Sequence, residues 1–323
     1  MSNTIPIRKI NEIVKNERSE GFYLIKSVDL KTTNSNGKKY LDFVLADGTG
    51  EITAKKWEVK EGEESEFRAN TIVKVRGMVT SWQSSLQLKV EQIRNIVSED
   101  KINIDDYVQS SPIDSKIMFE TIKSYINNMK NEDIKNIVNL MVEKNKEKLM
   151  YYPAAKKNHH SIKSGLLYHI TTMLNLGEKI CSIYDFLNTD LIYGGIILHD
   201  LAKIKEMASS ELGIVDDYTL EGTLLGHITQ GVKEIELAGQ EVKADRDSMI
   251  LLEHMVLSHH YEPEYGSPIK PMIPEAEILH YIDLIDARMY DMRKVTNETE
   301  VGKFSERLWS LENRRIYNHG LND

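Results

Sequence analysis

The chain has 323 residues, 41% hydrophobic and 28% charged, enough for two globular domains, and its single cysteine, Cys181, excludes an internal disulfide and any multi-thiolate zinc site. No apolar run approaches the ~20 residues of a bilayer span, and the opening MSNTIPIRKINEIVKNERSEG is too polar for a secretory signal, so a cytoplasmic protein without a membrane partner is expected. The net charge of −9 hides a split: residues 1–100 hold 16 Lys and Arg against 15 Asp and Glu, the remainder holds 25 against 35, and all ten histidines follow Asn158.

Five early segments, GFYLIKSVDLK, KKYLDFVLADG, EITAKKWE, TIVKVRGMVTSW and SLQLKVEQIRNI, carry β-formers in partial alternation, separated by turn signals such as NSNG and DGTG. Five strands at this spacing predict a small barrel over residues 1–97. The acidic, polar SEDKINIDDYVQSSP reads as a linker over 98–113. Over 114–323 apolar residues recur at helical spacing, from SKIMFETIKSYINNM through DLIYGGIILHDLAK to EAEILHYIDLIDARMYDM. The expected fold class is multidomain α+β, a five-stranded N-terminal β-barrel followed by an all-α bundle.

Aromatic and basic residues interleave in the barrel: Phe22, Tyr23, Phe43, Trp57 and Trp82 with Lys55, Lys56, Lys74, Arg76 and Lys89. Barrels of the oligonucleotide-binding type hold single strands with such aromatic platforms and a basic track. Aromatics on strands are usually core, and Phe43 in YLDFVLADG is expected there. Trp57, after two lysines, and Trp82, in the turn-like TSWQSS, are the better stacking candidates, with Lys55, Lys56, Arg76 and Lys89 for the backbone of the strand.

In the helical half, His169 lies on the line Leu166, His169, Met173, Leu176, toward the core side. His199–Asp200 follow in GGIILHDLAKIKE, then His227 in LLGHI, His259–His260 in LSHHYEPEYGSP and Asp283 in LHYIDLIDARM. About one helix and its return loop separates each from the next, the spacing by which a bundle brings side chains to one point. A lone histidine on a buried face is more often a satisfied core residue than a ligand; the ordered series is what argues for metal. Buried charge is costly unless paired or metal-bound. With two oxygens, Asp200 is the natural bridge between two cations, with His169, His199 and Asp283 on one and His227, His259 and His260 on the other. Two cations roughly 3.5–4 Å apart ionise a bridging water and stabilise an in-line displacement at phosphorus. The mixed nitrogen and oxygen shell suits manganese first, with iron, cobalt or zinc as alternatives.

The series H…HD…H…HH…D resembles the HD-domain metal phosphohydrolases, and its paired histidines resemble the two-metal branch of HD-GYP phosphodiesterases and CRISPR-associated HD nucleases. The motifs HHSIKSGLLYH, LHDLAK, LLGHI, LSHHYEPEYGSPIKP and EAEILHYIDLIDARM behind a barrel are similar to the YhaM family of bacterial 3′-to-5′ exoribonucleases. This chain has SGLL and HDLAK where that family is expected to have GGLL and HDIGK, changes that spare every proposed ligand. The resemblance covers almost the whole chain. It implies an OB-fold domain over 1–97, an HD domain over 114–323, and stepwise hydrolysis of single-stranded RNA; the direction of cutting rests on it alone. Single-stranded DNA as a substrate and a homo-oligomeric state stay open. Lys203, four residues after His199, is expected above the site against the scissile phosphate if the helix continues, and His160 resembles a family position that touches substrate phosphate. Asp286 is the reserve for Asp283, His280 a supporting partner for Asp283, and His254 points away. Two readings compete: an HD hydrolase of nucleotides or cyclic dinucleotides with the barrel as a regulatory contact, and an RNA-binding adaptor with a vestigial site.

Overall fold

The computed structural model describes residues 5–33, 37–60, 62–82, 85–156 and 159–321. The chain divides into two compact units, Met1–Gln109 and Ser110–Asp323. The first contains β1 (Arg18–Thr32), β2 (Lys39–Asp47), β3 (Gly50–Trp57), β4 (Ile72–Trp82) and β5 (Ser85–Asn95). They close into a barrel in the order β1-β2-β3-β5-β4, with β3 and β5 parallel and the other pairs antiparallel. Alternation dictates the interior: Leu41, Phe43 and Leu45 of β2 and Val73, Val75 and Val79 of β4 point inward and are fully buried, with Tyr23 and Phe67. Closure leaves no unpaired edge. Phe22 and Tyr23, named among the aromatic candidates, are core residues; the Tyr23 hydroxyl donates to the Arg8 carbonyl at 3.1 Å. The segment read as a linker from residue 98 folds back on the barrel. Arg94 forks onto Asp100 at 2.6 and 2.7 Å, and the Gly48 N–H donates to the Asp106 carbonyl at 3.0 Å. Polar composition there reflects satisfied surface pairs rather than a free tether.

The second unit comprises α1 (Ser115–Asn127), α2 (Glu132–Lys144), α3 (Lys146–Leu149), α4 (Gly165–Ile183), α5 (Thr189–Leu198), α6 (Lys203–Glu206), the ribbon β6 (Met207–Ser209) and β7 (Val215–Tyr218), α7 (Leu220–Val242), α8 (Arg246–Ser258) and α9 (Pro274–Glu298). Side chains stop and start these helices: Asp114, Asn131, Asn188, Thr219 and Asp245 each accept a backbone N–H as N-caps. No helix among the described residues is long and apolar enough to cross a membrane. Helix α5 is buried on almost every face and packs against α4, α8 and α9. A Cβ on Gly195 would lie 2.3 Å from Met255 Cε, so the tip of that α8 side chain packs directly on the α5 backbone. The outcome is that the C-terminal end of α5, where His199 and Asp200 sit, is surrounded by α4, α8 and α9.

Two features depart from helical periodicity. The strands β6 and β7 are three and four residues long, too short to leave a readable period. The helix through HDLAK does not continue: α5 ends at Leu198 and the chain turns before α6 begins at Lys203.

Candidate metal centre and nucleic-acid interface

The N-terminal part of α4, the C-terminal ends of α5 and α8, the kink of α7 and the middle of α9 deliver the predicted cluster. His169, His199 and His259 are fully inaccessible and Asp200 is nearly so. The nitrogens face one another: His169 Nε2 lies 3.3 Å from His199 Nε2 and 3.2 Å from Asp283 Oδ1, while Asp200 Oδ2 is 3.7 Å and 3.4 Å from these two imidazoles. Across the same carboxylate, Asp200 Oδ1 is 3.3 Å from His227 Nε2 and 3.9 Å from His259 Nε2. Asp200, His227, His259 and His260 can all turn ligand atoms to within 4.8 Å of one another, as can His169, His199 and Asp200. Ligands about 2.1 Å from a common cation stand roughly 3.0–3.4 Å apart at octahedral to tetrahedral angles, which the nearest pairs match.

Each imidazole is held by its other nitrogen. Nδ1 of His199 donates to the Ile196 carbonyl at 2.8 Å, of His259 to Val256 at 2.7 Å, of His260 to Tyr265 at 2.5 Å, of His227 to Glu206 Oε1 at 3.1 Å, and of His169 to Asp286 Oδ2 at 2.7 Å. A proton on Nδ1 leaves Nε2 with a bare lone pair, the tautomer a cation needs. Asp200 Oδ1, His227 Nε2 and His259 Nε2 are buried and have no hydrogen-bond partner among the described residues. Each such orphan costs about 1–3 kcal/mol. A cation satisfies all three at once, so the residues present fit a metal.

Burial alone would raise the Asp200 carboxyl, but the Lys203 ammonium, with His199 and His227, holds it well below the usual carboxylate range. Burial, helped by His260 and His199, pushes the His259 imidazole well below its usual value and keeps it neutral. His169 goes the other way: burial opposes protonation, yet the carboxylates of Asp283 and Asp286 draw it up to about 10, the pull that a cation at Nε2 would feel.

Asp283 faces Nε2 of His169, where a ligand belongs, and Asp286 stands behind the ring at Nδ1. His280 donates to the His259 carbonyl at the end of α8, at 2.8 Å, rather than to Asp283. His254 accepts the Met272 N–H at 2.9 Å, away from the cluster. With the helix broken after Leu198, Lys203 reaches back through the turn, and its Nζ lies 2.7 Å from Asp200 Oδ2. The His160 ring lies 5.1 Å from that of His169, but its Nε2 is turned onto Asp286 Oδ2 at 2.7 Å rather than toward Asp200. Its neighbour His159 stands 5.8 Å from the His169 ring, and burial together with the charges of His169 and Lys203 holds His159 down to about 3.

Glu206 was not legible as a site residue. It accepts both the backbone N–H of His227 at 3.0 Å and its Nδ1, from 21 residues earlier in the chain. Gly226 makes this reach possible. Its φ of 67° and ψ of 169° kink α7 just before His227, a conformation that glycine adopts without strain.

In the barrel an open groove of about 1050 Å³ runs between Trp57, Lys56, Lys74, Arg76, Lys89 and Arg94. Trp57 is 39% exposed and packs against Tyr40 at 4.6 Å between ring centres, with Lys55 over both rings. The basic track is largely neutralised: Lys56 binds Glu63 at 2.9 Å, Lys74 binds Glu20 at 2.7 Å, and Arg76 lies 3.9 Å from Glu91. Lys89 makes no ion pair among the described residues. Trp82 ends β4, and its side chain falls outside the described residues.

Residues 24–96 match the OB-fold nucleic acid binding domain model and residues 166–288 the HD domain model. The chain is 43% identical over 301 residues to the 3′-5′ exoribonuclease YhaM of Bacillus subtilis (strain 168), covering 93% of this chain and 95% of that protein. The chain belongs to the YhaM family. YhaM of Bacillus pumilus (strain SAFR-032) is likewise 43% identical, over 91% of this chain and 92% of its own length. Among solved structures, a domain of replication protein A from Methanococcus maripaludis is 25% identical over 28% of this chain and 96% of that chain, with a TM-score of 0.25.

Proposed function

We propose that this YhaM-family enzyme removes nucleotides from the 3′ end of single-stranded RNA, binding the strand through the barrel and hydrolysing it in the helical unit. The near full-length identity to 3′-5′ exoribonucleases supports the activity. The observation that carries the chemistry is the convergence of Asp200 Oδ1, His227 Nε2 and His259 Nε2, three buried polar atoms with no hydrogen-bond partner among the described residues. In this reading His169, His199 and Asp283 would hold one divalent cation and His227, His259 and His260 a second, with Asp200 within reach of both groups. When bound, such a pair supplies a nucleophilic water at neutral pH and Lewis acidity toward the phosphate. Manganese is the first assignment, from the mixed imidazole and carboxylate donors.

The protein's own groups do the rest. Asp286, Glu206 and the carbonyls of Ile196, Val256 and Tyr265 each occupy an Nδ1 and so aim the corresponding Nε2 inward. Lys203 keeps Asp200 ionised and places a positive charge beside the reacting phosphate. Trp57, on its Tyr40 and Lys55 support, stacks on a base while Lys89 meets the backbone of the strand.

The test uses 5′-labelled single-stranded RNA and a duplex control with manganese, with chelator, and with Asp200→Asn. Stepwise shortening from the 3′ end of the single strand, abolished by chelator and by the substitution, is expected. Full activity in chelator or in Asp200→Asn would refute the metal mechanism, and release from free nucleotides or cyclic dinucleotides alone would favour the competing hydrolase.

A further inference from the structure

The turn entering α4 holds two adjacent histidines in opposite surroundings. His160 is 1% exposed, its ring 4.1 Å from that of Tyr290 and its Nε2 on Asp286. His159 is half-buried, makes no hydrogen bond among the described residues, and lies where the charges of both Lys203 and Asp283 act on it. The two rings stand 6.1 Å apart at 87°. The backbone enforces this division: His160 has a left-handed φ of 54°, and its carbonyl accepts the Ala154 N–H at 3.1 Å. A non-glycine residue is kept in that conformation only where its surroundings over-determine it.

The imidazoles that turn Nε2 toward the centre spend Nδ1 on protein acceptors. Lys203, the obvious cation, is engaged with Asp200. A phosphodiester entering such a centre brings two non-bridging oxygens, and an oxygen turned away from the cations needs a donor of its own. A neutral imidazole always carries one N–H. His159 is an imidazole beside the centre whose ring nitrogens make no hydrogen bond among the described residues.

We propose that His159 receives the substrate at this centre, donating a ring N–H to a non-bridging oxygen of the nucleotide phosphodiester, while His160 only steadies Asp286. This rests on reading the centre as a phosphodiesterase. It moves the phosphate contact from His160, where family resemblance put it, to the preceding residue.

Full-length His159→Ala and His159→Gln are compared with the native enzyme, each loaded with manganese. The readouts are kcat/KM on labelled RNA and on a p-nitrophenyl nucleotide phosphodiester, metal content by mass spectrometry, and calorimetric affinity for uridine 5′-monophosphate. Both variants should keep native metal content. His159→Ala should lose about 10²- to 10³-fold in kcat/KM on both substrates, on the scale of one electrostatic stabiliser, and bind the monophosphate roughly tenfold more weakly. His159→Gln, which keeps an N–H donor, should regain at least tenfold of the rate. Unchanged rates, loss of metal together with rate, or a Gln variant no better than Ala would each overturn the proposal. Native enzyme that leaves both substrates intact would overturn the phosphodiesterase reading itself.

Discussion

Replacing Glu206 with Ala isolates the contribution of a group whose hydrogen bonds go to His227. The carboxylate accepts two bonds from His227, at 3.0 Å from the backbone and 3.1 Å from Nδ1, and its side chain is only 14% exposed. Hydrogen bonds to a charged group are worth about 1.5–3 kcal/mol each, but water admitted through the exposed edge would replace part of that. The remaining effect is loss of control over the His227 tautomer, which costs metal sites about 10- to 100-fold in affinity, equivalent to roughly 1.4–2.8 kcal/mol. The loss should fall on the cation shared by Asp200, His227, His259 and His260 and spare the one beside His169 and His199. Manganese titration followed by metal analysis should therefore show one tight and one weakened equivalent, with circular dichroism unchanged. Glu206→Gln, which keeps an acceptor, should lie between Ala and native. Two native-affinity equivalents in the Ala variant, or equal weakening of both, would refute the assignment of Glu206 as the group that aims His227.

Lys203→Met should lower kcat about 10²- to 10³-fold without loss of metal, since the ammonium stabilises charge rather than ligating; metal loss in parallel would show that its role is to hold Asp200. Trp57→Ala should weaken binding of single-stranded RNA by about 1–3 kcal/mol with the barrel still folded, and native binding by the variant would remove Trp57 from the interface. Because Lys56, Lys74 and Arg76 are already paired, the barrel should release few counterions. With Lys55 and Lys89 as the main contacts, log affinity against log salt should fall with a slope near −1.4, at about −0.7 per contact, and a slope steeper than about −3 would contradict the neutralised groove. Burial pushes Tyr23 up to about 12 from 10.0. Its neutral form is thus favoured in the folded barrel, and its contribution is intact below pH 10 and lost as pH rises to 12. Tyr23→Phe should abolish about 1.3 kcal/mol of that alkaline loss between pH 9 and 11, measured as urea midpoints at those two pH values, and an unchanged alkaline dependence would refute it.

The two-part architecture was written locally. Alternation in KKYLDFVLADG and TIVKVRGMVTSW needs only a period of two to declare a strand with one buried face, and the helical segments need only their own spacing. The metal-centre candidates were legible for a related reason: histidine and aspartate on core-facing positions of successive helices are chemically unlike their neighbours, and burial makes them costly unless they meet. Asp283 and Asp286 could not be ranked that way. They sit one turn apart on one helix face, and only the packing of α9 on α4 put Asp283 at Nε2 of His169 and Asp286 at Nδ1. Similarly, Glu206 meets His227 across a ribbon and a glycine kink, and His159 and His160 part company through a single left-handed residue. The barrel lysines were visible as charges, yet whether a charge is free depends on partners such as Glu63 and Glu20, brought close by strand register and loop path. Residue type and spacing along the chain determined which groups this protein has available and roughly where. Which atom of each group faces the centre was decided by three-dimensional packing, because a ring nitrogen or a carboxylate oxygen takes its role from whatever the fold places opposite it.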